Sequence, residues 1–541
     1  MMSQTEQHNQ TLPEIPGVTF DRDVSVSMPD GIDIMVNVFR PTSGGRFPVI
    51  LSVSPYGKDD LPQRGPRSPR PGMDLGIVHR SDYAAFETPD PGFWVPEGYV
   101  VVHGNVRGMW NSEGTAGWLS PQDARDYAEL IRWAGTQSFS DGNVGLCGVS
   151  YLAMSQWAAA ALNPPHLKAI IPWEGASDQY REFVYQGGLR ETKFFPRFFE
   201  AQVRAHQNPG YPAGPDLADE SKQHPLDDDL WASMRPQLPR ITVPALVCAS
   251  WSDQGMHTRG SMEGFKQIAS ERKWLYTHGR RKWEVFYGDE AKAAQLQFFD
   301  YFLKGLANGM PQVPTVRLEV RRTFDEYAVR HEPAWPIPGT DLTAWYLDAR
   351  TSELVHDPVP DEASMDYRAG LGESALQERA EFSLAFSQDT ELTGNIKLKL
   401  WISPLQADDA DLFVGIRKID AAGKEVHFSG YQGDHDDIVA KGWLRVSQRE
   451  LDPERSTPLQ PWHTHRREQK LAPGDVVPVE IEILPSSTLF EAGSTLRLVV
   501  QGRELIDYPG FGHDDTVNRG DHRLRTGGRY DSHLLVPQIR R

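Results

Sequence analysis

Gly145-Leu146-Cys147-Gly148-Val149-Ser150-Tyr151-Leu152-Ala153-Met154 lies between two runs of different character. Val144 and Leu146 lead in as an apolar strand, and the alanine-rich run from Trp157 to Leu162 leads out as a helix. A serine at such a strand-to-helix turn holds its hydroxyl above the sheet, and its neighbours must be small for strand and helix to approach. The helix N-terminus behind it puts positive potential where an oxyanion would form. One reading is a nucleophile elbow; the other is an ordinary turn with a capping serine. The stretch departs from strict G-x-S-x-G, because Leu152 stands at the second glycine and the small Ala153 comes one later. The rest of the chain must therefore supply the other catalytic parts.

A serine hydroxyl needs a histidine to take its proton, and the histidine needs a carboxylate to fix its tautomer. In a doubly wound hydrolase these follow in the order Ser, Asp or Glu, His. The apolar run Val243 to Trp251 reads as a strand, and Asp253 follows at its carboxyl end. Trp274-Leu275-Tyr276 reads as a short last strand, followed by Thr277 and His278. The expected triad is thus Ser150, Asp253 and His278. The bland alternative for Asp253 is a helix cap. Among 17 histidines, His257 is the rival to His278 but falls in a helix start, and His103 precedes the serine.

Outward from the elbow, the N-terminal half alternates. Val24 to Val38 holds two period-two runs around Pro29-Asp30-Gly31, a hairpin signal. Phe47 to Val53 and Tyr99 to Val102 are continuous apolar runs of the kind buried in parallel sheets. Between them, Gly57 to about Pro96 reads as a long excursion suited to covering a pocket. Residues 120–134 read as an amphipathic helix with acidic residues early, and Leu167 to Trp173 as a further strand. From Glu174 to about Arg240 the alternation stops. Phe194, Phe195, Phe198 and Phe199 suggest a helical apolar face, and the acidic run from Asp216 to Asp229 reads as a solvated one. Alternation resumes to about Ala307. Past Val313, short alternating runs such as Ile396-Leu398-Leu400-Ile402 give the pattern of an antiparallel sandwich or jelly roll, after a Pro333, Pro336, Pro338 linker.

The expected fold is α/β: a doubly wound, mainly parallel sheet with a helical insertion or cap, plus a C-terminal all-β domain. Expected boundaries are a flexible arm over 1–17, the hydrolase core over 18–173 and 241–330, the cap over 174–240 and the jelly roll over 331–541. A length of 541 residues calls for more than one domain. A net charge of −18 argues against nucleic acid or an anionic membrane as partner. Two cysteines give no disulfide framework, and Cys147 and Cys248 both sit in apolar runs. With no signal-type apolar segment at the start, a cytoplasmic location is expected. No metal-ligand spacing or phosphate-binding glycine loop appears, so no cofactor is expected. The expected partner is a small-molecule ester or amide, with homo-oligomerisation left open.

Several motifs resemble the cocaine esterase / X-prolyl dipeptidyl peptidase (CocE/NonD) hydrolase family. They are Arg107-Gly108 with Ser112-Glu113-Gly114, Asp141-Gly142-Asn143-Val144-Gly145 running into Gly148-Val149-Ser150-Tyr151, and Phe298-Phe299-Asp300 with Leu303-Lys304-Gly305. Asp409-Ala410-Asp411-Leu412-Phe413 and Gly493 to Leu498 resemble its jelly-roll stretches. The resemblance implies an α/β-hydrolase doubly wound sheet with a helical cap insertion and a C-terminal all-β jelly roll, in a serine hydrolase that cleaves esters or amides of bulky acyl groups through an acyl-enzyme. It implies oxyanion donors at Tyr56 (phenol) and Tyr151 (backbone N–H). Asn105 stands where the family usually has Asp, Trp274-Leu275-Tyr276 replaces its Gly-Pro-Trp, and Ala153 replaces a glycine. Trp118, Trp173, Phe194 and Phe195 are candidates to line the acyl pocket, with core packing as the alternative for each. The readings to be separated are an esterase, an X-prolyl aminopeptidase, an amide acylase or acyltransferase, and a non-catalytic binding protein.

Overall fold

The computed structural model describes residues 15–59, 80–370, 375–431, 436–508 and 510–540. Residues 1–14 of the expected arm and 60–79 of the excursion lie outside them.

The N-terminal half is a mixed sheet. Its strands are β1 (Val18–Ser27), β2 (Asp33–Pro41), β3 (Phe47–Ser54), β4 (Val100–Asn105), β5 (Ser140–Val149), β6 (Leu167–Trp173), β7 (Ala245–Ser250), β8 (Lys273–His278) and β9 (Val316–Arg321). The β1–β2 hairpin adds antiparallel to β4. From β4 the order runs β3, β5, β6, β7, β8, β9, every pair parallel. Strands covered on both faces must be apolar on both, and β4 and β7 are buried at every residue. The expected α/β-hydrolase sheet is present. β8 is not its last strand, since β9 pairs beyond it.

Helices α1 (Pro121–Thr136), α2 (Tyr151–Ala160), α3 (Thr258–Gln267), α4 (Lys282–Phe286) and α5 (Asp289–Phe302) surround this sheet. α1 starts on a capping box, in which Ser120 accepts from Asp123 N–H and the Asp123 carboxylate accepts from Ser120 N–H. It buries Tyr127, Leu130, Ile131 and Ala134, one face at helical spacing.

Between β6 and β7 come a π-helical turn (Tyr180–Val184), a small hairpin and short helices at Phe194–Phe198, Leu217–Gln223 and Asp229–Met234. The acidic run is largely solvated as expected, with Asp219 and Asp229 exposed. Asp227 departs from it: its side chain is 7% exposed, held between Arg181 and Arg235 at 2.7 and 2.9 Å. Asp216 and Asp228 cap the helices that follow them.

The C-terminal part is an all-β sandwich built around Thr390–Pro404 and Val477–Phe490, which pair antiparallel over most of their length. Ile396, Leu398, Leu400 and Ile402 point into its core, while Lys397 and Lys399 pair outward with Glu480 and Asp531. Buried charge ties the three parts. Arg259 on α3 reaches Glu182 of the inserted region at 2.9 Å and Glu482 of the sandwich at 3.0 Å, and its guanidinium lies 4.6 Å over the Trp462 ring. No helix among the described residues is long and apolar enough to cross a membrane.

Candidate active site

β5 ends at Val149 and α2 begins at Tyr151, so Ser150 forms the whole turn. Its backbone has φ 59° and ψ −116°, a region costly for a residue with a Cβ. Surrounding bonds hold it there: Ser150 N–H donates to the carbonyls of Trp173 and Glu174, both at 3.1 Å. Gly148 has no room for a side chain, because a Cβ would meet that of Leu152 at 2.6 Å. The small Ala153 has a reason as well. A Cβ on Gly175 would come within 2.8 Å of the Ala153 Cβ, so the backbone after β6 passes directly over the first turn of α2.

Ser150 Oγ lies 3.2 Å from Nε2 of His257. His257 Nδ1 is in a short hydrogen bond with Oδ2 of Asp253. With Nδ1–H given to the carboxylate, Nε2 is the acceptor facing the serine hydroxyl. Asp253 ends the loop after β7, and its carbonyl accepts the N–H groups of Met256, His257 and Thr258. That single turn of chain brings side chains four residues apart onto one side. Asp253 and His257 are both buried, at 1% and 0% exposure.

His278, expected as the base, is not at the serine. β8 runs through it instead of stopping at Tyr276, so His278 is a strand residue paired with Ser250. Its side chain enters the interior, where Nε2 meets Glu174 Oε1 at 2.8 Å and Nδ1 accepts the N–H of Arg280 at 3.2 Å. The other oxygen of Glu174 accepts from Ser250 Oγ. Glu174 is also the residue whose carbonyl holds Ser150 N–H, so this second pair buttresses the elbow from below. Cys248 brings a third donor atom into the group, all within 4.8 Å. Both nitrogens of His278 are engaged by protein groups, and burial pushes the Cys248 thiol well up, so these residues are poorly disposed to ligate a metal.

A lysine joins the Asp253–His257 pair, one that order along the chain did not single out. Lys282 opens α4, just past the end of β8, and is 2% exposed. Its Nζ lies 3.0 Å from Asp253 Oδ2 and 3.3 Å from His257 Nδ1. The Trp283 and Tyr431 rings lie 5.2 and 4.8 Å from the ammonium. Burial alone would raise the Asp253 carboxyl; Lys282 and His257 together hold it below the ordinary carboxylate range. Burial pushes His257 down, Lys282 pushes it further, and Asp253 opposes both. Asp-x-x-x-His, with a lysine just past the next strand, was the available signal.

Tyr56 stands two residues past β3 and is buried. Its ring meets Phe86 at 5.0 Å and Phe198 at 6.1 Å. Tyr151 is the first residue of α2, where an N–H has no acceptor within the helix. Trp118 lies 5.0 Å from the rings of both Tyr151 and Phe198. Phe194 bridges Phe198 to Tyr431 of the sandwich at 5.6 and 5.9 Å. An aromatic wall thus runs from Tyr56 through Phe198 and Trp118, at the first residue of α2, and through Phe194 to the Lys282 cage. Phe195 is buried behind it, against Phe183 and Phe199, whose rings in turn meet Trp118. Trp173 is core rather than pocket: it is fully buried against Tyr276, Phe286 and His278. Part of the excursion closes over the elbow, where the Glu87 carbonyl accepts Val149 N–H at 3.1 Å.

A family model described as X-Pro dipeptidyl-peptidase (S15 family) matches residues 30–281, and one for the C-terminal non-catalytic domain of that peptidase matches 308–535. A solved CocE/NonD family hydrolase from Staphylococcus aureus is 42% identical over 98% of this chain and 99% of that one, with a TM-score of 0.91. Cocaine esterase from Rhodococcus sp. is 25% identical over 96% of this chain and 98% of its own length. A solved aminopeptidase from a marine-sediment Thaumarchaeota archaeon shares the fold, with a TM-score of 0.74 at 16% identity.

Proposed function

Since this chain belongs to the CocE/NonD family of X-Pro dipeptidyl-peptidase-type serine hydrolases, we propose that it is a carboxylic ester hydrolase working through an acyl-enzyme on Ser150. The observation that carries this is the continuous relay of Ser150 Oγ, His257 Nε2, His257 Nδ1 and Asp253 Oδ2. His257 takes the serine proton as Oγ bonds to the substrate carbonyl carbon. The resulting oxyanion is met by the Tyr56 phenol and the Tyr151 N–H. Collapse breaks the bond to the leaving alkoxide, which receives the proton from His257. Water then repeats the sequence on the acyl-serine and releases the acid.

The ester reading is favoured over release of dipeptides by the aromatic wall rather than by the cap charges. A substrate ammonium would need a carboxylate, and although Asp227 is held by Arg181 and Arg235, Asp216 and Asp219 by Arg204, and Asp228 by His224, the same run also carries Glu220 and Asp229. The aromatic wall suits a bulky apolar acyl group.

A fluorophosphonate probe tests the nucleophile. Wild type should be labelled and Ser150→Ala should not; equal labelling of both would sink the assignment. A panel of aryl esters and aminoacyl-prolyl amides then separates esterase from peptidase, with the esters expected to turn over faster. Tyr56→Phe should lower kcat about 10²- to 10³-fold with little change in KM, as expected for loss of one oxyanion donor. A change in KM alone would return Tyr56 to the core.

A further inference from the structure

A buried lysine touching both partners of a histidine–carboxylate pair is not needed to orient the imidazole, because Asp253 already does that. Resting on the Ser150–His257–Asp253 reading, we propose that Lys282 is a positioning residue that poises the pair, so that the reaction continues into acid where an ordinary histidine base would be protonated.

The geometry supports this in three ways. Asp253 Oδ1 is buried with no hydrogen-bond partner among the described residues, so Oδ2 alone carries both His257 and Lys282. A carboxylate so desolvated stays ionised only beside a fixed cation. Next, with Nδ1–H given to Asp253, Lys282 at 3.3 Å from Nδ1 acts as a charge rather than a hydrogen-bond donor. That charge opposes formation of a second cation on the ring in a water-poor site. Last, the lysine is held in place: it is fully buried, it starts α4, and Trp283 and Tyr431 cage its ammonium.

The groups facing this set come from every element around it. The elbow supplies Ser150, the turn after β7 supplies Asp253, and α4 supplies Lys282. The segment after β6 supplies Glu174, whose charge favours the imidazolium but is engaged by His278 and Ser250. The sandwich supplies Tyr431 and the excursion Glu87, both acting on Lys282. Lys282 is the cation that opposes a charge on His257. Its effect on the reaction is a weaker base in the first step and a stronger acid toward the leaving group in the second.

The test is the pH profile of kcat/KM on an aryl ester, from about pH 4 to about pH 9. Wild type should show its acid limb below the ordinary imidazole value of about 6.5. Lys282→Met should move that limb up by about one unit or more, and Lys282→Arg should keep it low. A wild-type limb at about 6.5 or above overturns the proposal, and this reading needs no variant to fold. So does a Lys282→Met enzyme slowed by one factor at every pH with its limb unmoved, which is what a purely structural lysine would give. His257→Gln is measured alongside. Activity persisting there sinks the triad itself, whereas activity lost there with an unmoved Lys282→Met limb sinks only the lysine's part.

Discussion

His257→Gln should lower turnover of an aryl ester by a factor on the order of 10⁶, the scale of losing the base from a serine–histidine relay. His278→Gln should not. The two histidines are distinguished by what their nitrogens face. His257 offers Nε2 to Ser150 at 3.2 Å, and glutamine there has no basic nitrogen to take the proton. His278 offers Nε2 to Glu174 and has Nδ1 filled by the Arg280 N–H. Removing it leaves a fully buried carboxylate with one fewer donor, costing about 1–3 kcal/mol in stability. Turnover should fall by less than about tenfold, through slight loosening of the elbow that Glu174 supports. Steady-state rates with thermal melts of both variants decide it. The reverse ranking would restore the assignment made from sequence order.

Asp253→Asn should lower kcat about 10⁴-fold, since an amide no longer fixes the productive tautomer or stabilises the imidazolium. Here a second loss arises from Lys282. Its ammonium is as buried as the carboxylate it faces at 3.0 Å, and the neutral amide would leave that charge without an ionic partner. Breaking one side of a buried pair costs about 3–5 kcal/mol. The double variant Asp253→Asn, Lys282→Met removes the stranded charge. It should recover most of the stability and none of the turnover. A single Asp253→Asn variant that melts like wild type would show that Lys282 finds another partner.

Much of this was readable in the chain. Apolar runs at β3, β4 and β7 mark parallel strands because both sheet faces are covered. The Gly148–Ser150–Ala153 spacing marks the elbow because strand and helix must touch there. The jelly roll announces itself in Ile396, Leu398, Leu400 and Ile402 alternating with lysines. The expected base, His278, lies away from Ser150 for a physical reason. Order along the chain favoured a histidine past the following strand, and nothing in the sequence shows that β8 continues two residues beyond Tyr276. Those two residues carry His278 into the interior. Likewise Asp227 looks solvated beside Asp228 and Asp229, because its partner Arg181 lies 46 residues away. The Trp173 ring is placed by packing beneath the elbow, which a one-dimensional pattern does not reveal.

The placement of His257 on the same turn as Asp253 bears on how such a chain can change over generations. On the proposed triad, acid and base stand at the two ends of one five-residue stretch, Asp253 to His257, and are displaced together as one short piece of chain. The end of β8 then carries no proton-transferring group, so the segment from Gly279 to Arg281 is released from the constraint that a base would impose there. Drift in that segment would register through the position of Lys282 and through the Arg280 N–H that fills His278 Nδ1. A lineage could thus retune the acidity at which it works by altering one strand-end, while the bond-making residues stay as they are.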